Sequence, residues 1–370
     1  MPVERQLEIE TEEYYENPKP FNGNFEGADI LSVEQFTQRE EVERIFAVAD
    51  EMRRCVENRI SRSDLDGQSV ALLFYQPSSR TYSSFHAATQ RLGASYETPM
   101  HGMTAYSSAV KGESLADTIR TFHATTAADI IVLRHPDDNS SEIAAHFSPV
   151  PVINAGSGRK EHPTQAVLDT VTVNSELGRI DGLVVTATGD LRNGRTIKSF
   201  AKLLAIAGEG VTFNFISPEV LKMPESVIKQ LEINGATVNV GSNGDLDYAI
   251  EQSDVLYVTR IQDEWFVQQA LEDIVEALGD KAHDIPPEKL LEIAKPVGQS
   301  EYSKAVTGYV IDEERMKIAK QHMIVVHPLP RVTEISPRID KDPRSAYFRQ
   351  MRYGLYSRMA LLSMINGTAQ

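Results

Sequence analysis

The chain has 370 residues, 41% of them apolar and 24% charged, which is enough for two cores and too apolar for global disorder. Lys and Arg number 37 against 53 Asp and Glu, a formal charge of -16 that repels phosphate backbones and excludes nucleic acid as an expected partner. One cysteine, Cys55, rules out a disulfide framework and a Cys-rich metal site, and no apolar run approaches the roughly eighteen residues of a membrane span.

Met1-Pro2-Val3-Glu4 has no basic start followed by an apolar stretch, so no secretory leader and a cytoplasmic location are expected. Residues 1–24 carry Glu4, Glu8, Glu10, Glu12, Glu13 and Glu16 and read as an acidic, solvated or loosely docked extension. Val42, Ile45, Phe46 and Ala49 then follow the spacing of an amphipathic helix. Val- and Ile-rich runs recur at 70–75, 130–133, 150–153, 183–186, 211–216, 255–258 and 324–326, most of them separated by enough chain for a crossover helix. That alternation predicts an α/β chain of mainly parallel sheets flanked by helices. Gly156-Ser157-Gly158 lies between two such blocks and predicts a domain boundary near 160. The stretch 266–323, with its Pro286-Pro287 and Lys295-Pro296-Val297-Gly298, reads as a long irregular excursion holding one or two helices. A closing helix over about 347–365, apolar at Leu355, Met359, Leu362 and Ile365, must dock on a core.

Candidate chemistry sits where these elements meet. Ser78-Ser79-Arg80-Thr81 follows the first strand and opens a helix, where unpaired N–H groups, hydroxyls and a guanidinium together suit a phosphate. A single N-cap needs only one of those residues. Ser107 and Lys111 lie in a polar loop with the composition of a lid. Arg134 ends a buried strand, where ligands of open parallel sheets bind. His162 and Gln165 flank Pro163 at a helix start, three apart, so both can face one ligand holding a carbonyl and an NH2 group. Arg195 follows Gly189-Asp190-Leu191 at a strand-to-helix turn that lacks the dinucleotide glycine spacing. Arg260 and Gln262 end another strand. Pro328 and Leu329 stand in a stiff turn after 324–326, whose carbonyls are available to a ligand amine. Each arginine taken alone is equally an ordinary surface residue. Together, in so acidic a chain, they point to one or two ligands with several negative charges. There is no H-E-x-x-H, P-loop or nucleophile elbow, so no metal, no cofactor and no covalent serine step is expected.

Ser78-Ser79-Arg80-Thr81, Arg134-His135-Pro136, His162-Pro163-Thr164-Gln165, Gly189-Asp190-Leu191 with Gly194-Arg195-Thr196, Arg260-Ile261-Gln262 and His327-Pro328-Leu329-Pro330-Arg331 occur in this order. From about Ile30 onward the chain resembles the aspartate/ornithine carbamoyltransferase family. His-Pro-Leu-Pro-Arg, with no Ser-Met-Gly loop, is similar to its aspartate branch. The resemblance implies transfer of a carbamoyl group from carbamoyl phosphate to the amine of L-aspartate, in pyrimidine biosynthesis. It implies a carbamoyl-phosphate-binding domain of residues 25–160 plus 345–370, so that the closing helix returns to the first domain. The aspartate-binding domain would be 161–344. Ser78, Ser79, Arg80 and Thr81 would hold phosphate, and Arg134 and His162, with Thr81, the carbonyl oxygen. Gln165 and the Pro328-Leu329 backbone would orient the NH2 group, and Arg195, Arg260 and Gln262 would take the aspartate carboxylates. Ser107 and Lys111 would come from a neighbouring protomer of a homotrimer, and a regulatory chain is admitted as a further partner.

The chain departs from the family at Gln76, where Glu is usual, at Tyr82, where a second Arg is usual, and at Trp265, where a base is common. The segment between Gln262 and His327 is roughly thirty residues longer than expected. An interdomain salt bridge is therefore expected to be missing, with domain closure left to the substrate. These departures keep two alternatives open: a carbamoyltransferase for another amine, or a non-catalytic binding protein of the same fold.

Overall fold

The computed structural model describes residues 21–98 and 112–369. Its first half contains α1 (Arg39–Glu57), β1 (Ser69–Phe74), α2 (Ser79–Arg91), β2 (Ser95–Glu97), α3 (Leu115–Thr126), β3 (Ile130–His135), α4 (Ser140–Phe147), β4 (Val152–Ser157) and α5 (Pro163–Leu177). Its second half contains β5 (Val184–Thr188), α6 (Arg195–Ala207), β6 (Thr212–Ile216), α7 (Glu225–Ile233), β7 (Thr237–Gly241), α8 (Asn243–Gln252), β8 (Val255–Val258), α9 (Asp263–Leu278), α10 (Pro287–Thr307), α11 (Glu313–Ile318), β9 (Ile324–Val326) and α12 (Tyr347–Ile365).

The strands form two parallel sheets, ordered β2-β1-β3-β4 and β7-β6-β5-β8-β9. The α/β expectation holds, and for the reason that motivated it. Central strands buried on both faces need unbroken apolar runs, and β1, β3 and β8 are such runs. The two strands that sequence reasoning missed, β2 and β7, lie at sheet edges. There an open flank requires no apolar signal, and β7 is mostly exposed.

Helix ends follow local chemistry. Glu41 reaches back to accept the Gln38 N–H at 3.0 Å, holding the start of α1. Pro163 occupies the first position of α5, and Gly178 ends it with φ 68°. Helix α12 packs against α1, α2 and α5, so the closing helix does return to the first half. One apolar core runs from Phe21, Phe25 and Phe36 through α5 and α12 into the second sheet. The chain is thus docked from Phe21 onward, sooner than its acidic composition suggested; Phe21 meets Phe25 edge-on at 4.7 Å.

The excursion of 266–323 is not irregular. Helices α9 and α10 pack against each other, and Phe266 meets Tyr302 at 5.9 Å. Pro296 lies inside α10 and Pro287 at its start. A Cβ on Gly298 would fall 2.6 Å from the Val267 backbone, so this glycine permits the close helix contact. Packing outweighs the loss of roughly 3 kcal/mol that an interior proline brings. Among the described residues no helix is long and apolar enough to cross a membrane.

Candidate active site

Both sheets have a point where successive strands run in opposite lateral directions, between β1 and β3 in one and between β5 and β8 in the other. Crevices open at the carboxyl ends of the strands there. Ser78–Thr81 follow β1, and Arg134 is the fifth residue of β3. Residues 190–196 follow β5, and Thr259–Gln262 follow β8. The two crevices share one cavity of about 770 Å³. Of the expected site residues, Ser78, Arg80, Thr81, Arg134, His162, Gln165, Arg195, Arg260, Gln262, Pro328 and Leu329 line it. Ser79 is exposed and does not line it. Ser107 and Lys111 lie outside the described residues.

Ser78 precedes α2 but makes no side-chain capping bond, which leaves its hydroxyl and the first N–H groups of the helix to a ligand. Arg134 donates through Nη1 to the Ala155 carbonyl at 3.1 Å, while its buried Nε has no partner among the described residues. A Cβ at Gly156 would lie 2.8 Å from Arg134 Nη1 and 3.2 Å from Arg195 Nη2. Two guanidiniums from opposite sheets therefore converge on one backbone spot. Burial, then Arg195 and Arg80, bring the Arg134 pKa down to about 10. Burial also lowers Arg195. His162 is held well below the ordinary imidazole value by burial and then by Arg134, Arg195 and Arg358. It is a neutral donor, not an acid. Among the described residues Arg80, Arg134, Arg195 and Arg358 take part in no ion pair, and Arg260 only approaches Glu264 at 4.0 Å. Arg260 also donates to Gln262 Oε1 at 2.8 Å. Several cations outside any close ion pair around one cavity form a receptor for anions, although Asp190 also lines its wall. No cluster of three or more His, Cys, Asp or Glu among the described residues is placed to hold a metal ion.

Residues 28–175 match the family model "Aspartate/ornithine carbamoyltransferase, carbamoyl-P binding domain", and residues 181–365 match the corresponding "Asp/Orn binding domain". The chain belongs to the aspartate/ornithine carbamoyltransferase family. It is 39% identical to an aspartate carbamoyltransferase catalytic subunit of Thermoplasma volcanium, covering 91% of this chain and 98% of that one. It is 42% identical to the multifunctional protein pyr-3 of Neurospora crassa over 92% of this chain. The chain spans only 17% of that protein's length, and 14% of several similar multifunctional relatives. A crystal structure of aspartate transcarbamoylase from Trypanosoma cruzi in complex with N-(phosphonacetyl)-L-aspartic acid superposes with a TM-score of 0.78 at 37% identity, covering 92% of this chain and 96% of that one.

In this family member, the parts of the site that sequence reasoning missed are buried supports. Asp169 is fully buried and accepts hydrogen bonds from Gln165 Nε2 at 2.8 Å, Gln350 Nε2 at 2.5 Å and the Tyr257 hydroxyl at 2.8 Å. Because Gln165 donates to Asp169, its carbonyl oxygen is the end left for a ligand NH2. Gln350 Oε1 in turn accepts the His327 N–H at 2.9 Å. His327 Nδ1 accepts the Leu329 N–H at 2.7 Å, so its Nε2 carries the proton and donates to Glu334 at 2.8 Å. That chain of bonds holds Leu329 at φ 55°, where a side chain costs about 1–2 kcal/mol. No donor among the described residues meets the carbonyls of Pro328 or Leu329. Arg358, in the middle of α12, also lines the cavity; it is 3% exposed and its Nε is unpartnered. Its only sequence signal was a charge set three residues after Leu355 and beside Met359 on an apolar stripe. Tyr82 packs on Phe74 and His86 and does not line the cavity.

Proposed function

We propose that this chain transfers the carbamoyl group of carbamoyl phosphate to the amine of L-aspartate, giving N-carbamoyl-L-aspartate and phosphate for pyrimidine biosynthesis. The observation that carries this reading is the convergence on one cavity of guanidiniums from both sheets, with Arg80, Arg134 and Arg195 in no ion pair among the described residues. Two anions that repel each other must be held side by side, and fixed cations offset that repulsion. The Trypanosoma cruzi relatives solved with carbamoyl phosphate and with aspartate support the same pair of ligands.

In this reading Ser78, Arg80, Thr81 and the first N–H groups of α2 receive the phosphate, and the exposed Ser79 side chain takes no part. Arg134, neutral His162 and Thr81 donate to the carbonyl oxygen, where charge develops as the amine attacks; a good donor there contributes roughly 3 kcal/mol. Gln165 and the Pro328-Leu329 carbonyls orient the NH2 group. Arg195, Arg260 and Gln262 take the aspartate carboxylates. Aligning two substrates supplies on the order of 7 kcal/mol or more. The new C–N bond forms as the C–O bond to phosphate breaks, and the leaving phosphate accepts the amine proton, so no protein base is required. Residues 25–160 with 345–370 serve as the donor domain and 161–344 as the acceptor domain. Ser107 and Lys111 act across the interface of a cytoplasmic homotrimer, and the reading admits a regulatory chain without requiring one.

The test is a colorimetric assay for carbamoyl-aspartate, with ornithine and related amines as controls. Product with aspartate alone supports the proposal. Product only with another amine overturns the acceptor assignment, and product with none overturns catalysis. Mixing Arg80→Ala and Lys111→Ala subunits tests the shared site: hybrids that regain no activity refute it.

A further inference from the structure

We propose that Arg159 and Trp265 form a positioning pair that fixes the acceptor half of the site. This rests on the reading of Arg195, Arg260 and Gln262 as acceptor ligands. Arg159 stands in the turn after β4 of the first sheet, and Trp265 is the third residue of α9, which follows β8 of the second. The Arg159 guanidinium lies over the indole ring, 4.1 Å from its centroid. A contact therefore ties the two halves together outside the reaction cavity, at the wall of a separate cavity of about 410 Å³.

Each acceptor residue is one short step from this pair. Arg195 donates through Nη1 to the carbonyl of Gly158, the neighbour of Arg159. Gln262 stands immediately before α9, three residues before Trp265, and its side chain accepts the Arg260 hydrogen bond rather than capping the helix. The Arg159 N–H donates to Asp138 Oδ1 at 2.6 Å, so the turn that bears the guanidinium is itself anchored. Donor residues Ser78, Arg80, Thr81 and Arg134 hang instead from β1 and β3. The indole N–H is buried and has no partner among the described residues, so the ring face, not a hydrogen bond, is what holds Trp265. A planar cation on the best of the aromatic faces is a directional contact worth about 0.5–1 kcal/mol at an exposed site, up to about fivefold in an equilibrium constant.

The experiment compares the parent with Arg159→Gln, Arg159→Lys, Trp265→Phe and Trp265→Leu. Arg159→Gln and Trp265→Leu are expected to raise the KM for aspartate about fivefold, with the KM for carbamoyl phosphate and kcat within about twofold. Trp265→Phe, which keeps a ring and loses no hydrogen bond, and Arg159→Lys are expected to fall between. Trp265 is the only tryptophan in the chain, so emission reads the stack without turnover, and Arg159→Gln must shift it. Unchanged aspartate KM in Arg159→Gln, a parallel rise of both KM values, or unchanged emission overturns the proposal. Should the parent carbamoylate another amine, the function reading fails alone, and the same ratio of acceptor to donor KM is read with that amine. Should it carbamoylate none, the pair is judged by emission on titrating aspartate and inorganic phosphate: Arg159→Gln must weaken the aspartate response only.

Discussion

Replacing Asp169 with Asn keeps the shape of a buried hub and removes its charge. Asp169 Oδ1 accepts from Gln165 at 2.8 Å and Gln350 at 2.5 Å. The amide oxygen of Asn can take that place, while its NH2 turns toward the Tyr257 hydroxyl. Both glutamine bonds then survive as neutral ones, each weaker by about 1 kcal/mol than a bond to a charged acceptor. Gln165 is held less firmly, and about 1.4 kcal/mol of lost positioning corresponds to a tenfold higher KM for carbamoyl phosphate. Steady-state kinetics of Asp169→Asn at about pH 8, where the parent carboxyl is ionised, should show that rise, with the aspartate KM little changed. A second readout is pH. Burial raises the Asp169 carboxyl from 3.8 to about 7, against the three hydrogen bonds. The folded protein thus keeps a proton that the unfolded chain has lost between about pH 4 and 7. The stability this supplies is complete below about pH 4 and is lost as the pH rises to about 7. Asn does not titrate. The melting temperature of Asp169→Asn relative to the parent should therefore rise from about pH 5 to about pH 8, and shared groups such as Asp29 cancel in the difference. A carbamoyl phosphate KM within about twofold of the parent, or a flat difference in melting temperature, refutes the hub.

Arg134→Gln should lower kcat about 100-fold or more, measured at saturating substrates, if the guanidinium is the charged donor to the carbonyl oxygen that the proposed function assigns. Arg358→Met should raise the thermal midpoint of the ligand-free protein, worth about 1–3 kcal/mol, since a buried guanidinium without an ion pair gives way to an apolar chain of similar length. Gly298→Ala should lower the unfolding free energy, read by denaturant titration, by about 1–3 kcal/mol with kcat unchanged, because its Cβ collides with the Val267 backbone and neither residue lines the reaction cavity. Inorganic phosphate at about 100 times its dissociation constant should stabilise the parent by about 2.7 kcal/mol, and Arg80→Gln should abolish that shift in a melting experiment.

The central strands, α5 from Pro163 to Gly178 and the closing helix were legible because each carries its own local signal: an apolar run, a proline at a helix start, a period of 3.6. So were the residues set at strand ends, since a polar side chain just past a buried strand has few structural duties. The α9–α10 pair was misread. Pro296 and Gly298 speak locally for a break, and only the packing of one helix on the other reverses them. Asp169, Gln350, Tyr257 and Glu334 gave no signal at all. A buried polar residue is recognised by its partners, and Gln350 lies 181 positions from Asp169.

By its alternating apolar runs and its order of motifs the sequence alone determined the α/β architecture, the family and most of the residue types that line the cavity. Folding decided that Arg134 and Arg195 share one spot beside Gly156, that His162 is neutral, that Gln165 presents its oxygen, and that Arg159 reaches Trp265. The difference is one of range. Strand, helix start and turn depend on neighbours in the chain. Charge state, hydrogen-bond polarity and convergence depend on what is nearby in space, and no local pattern encodes it.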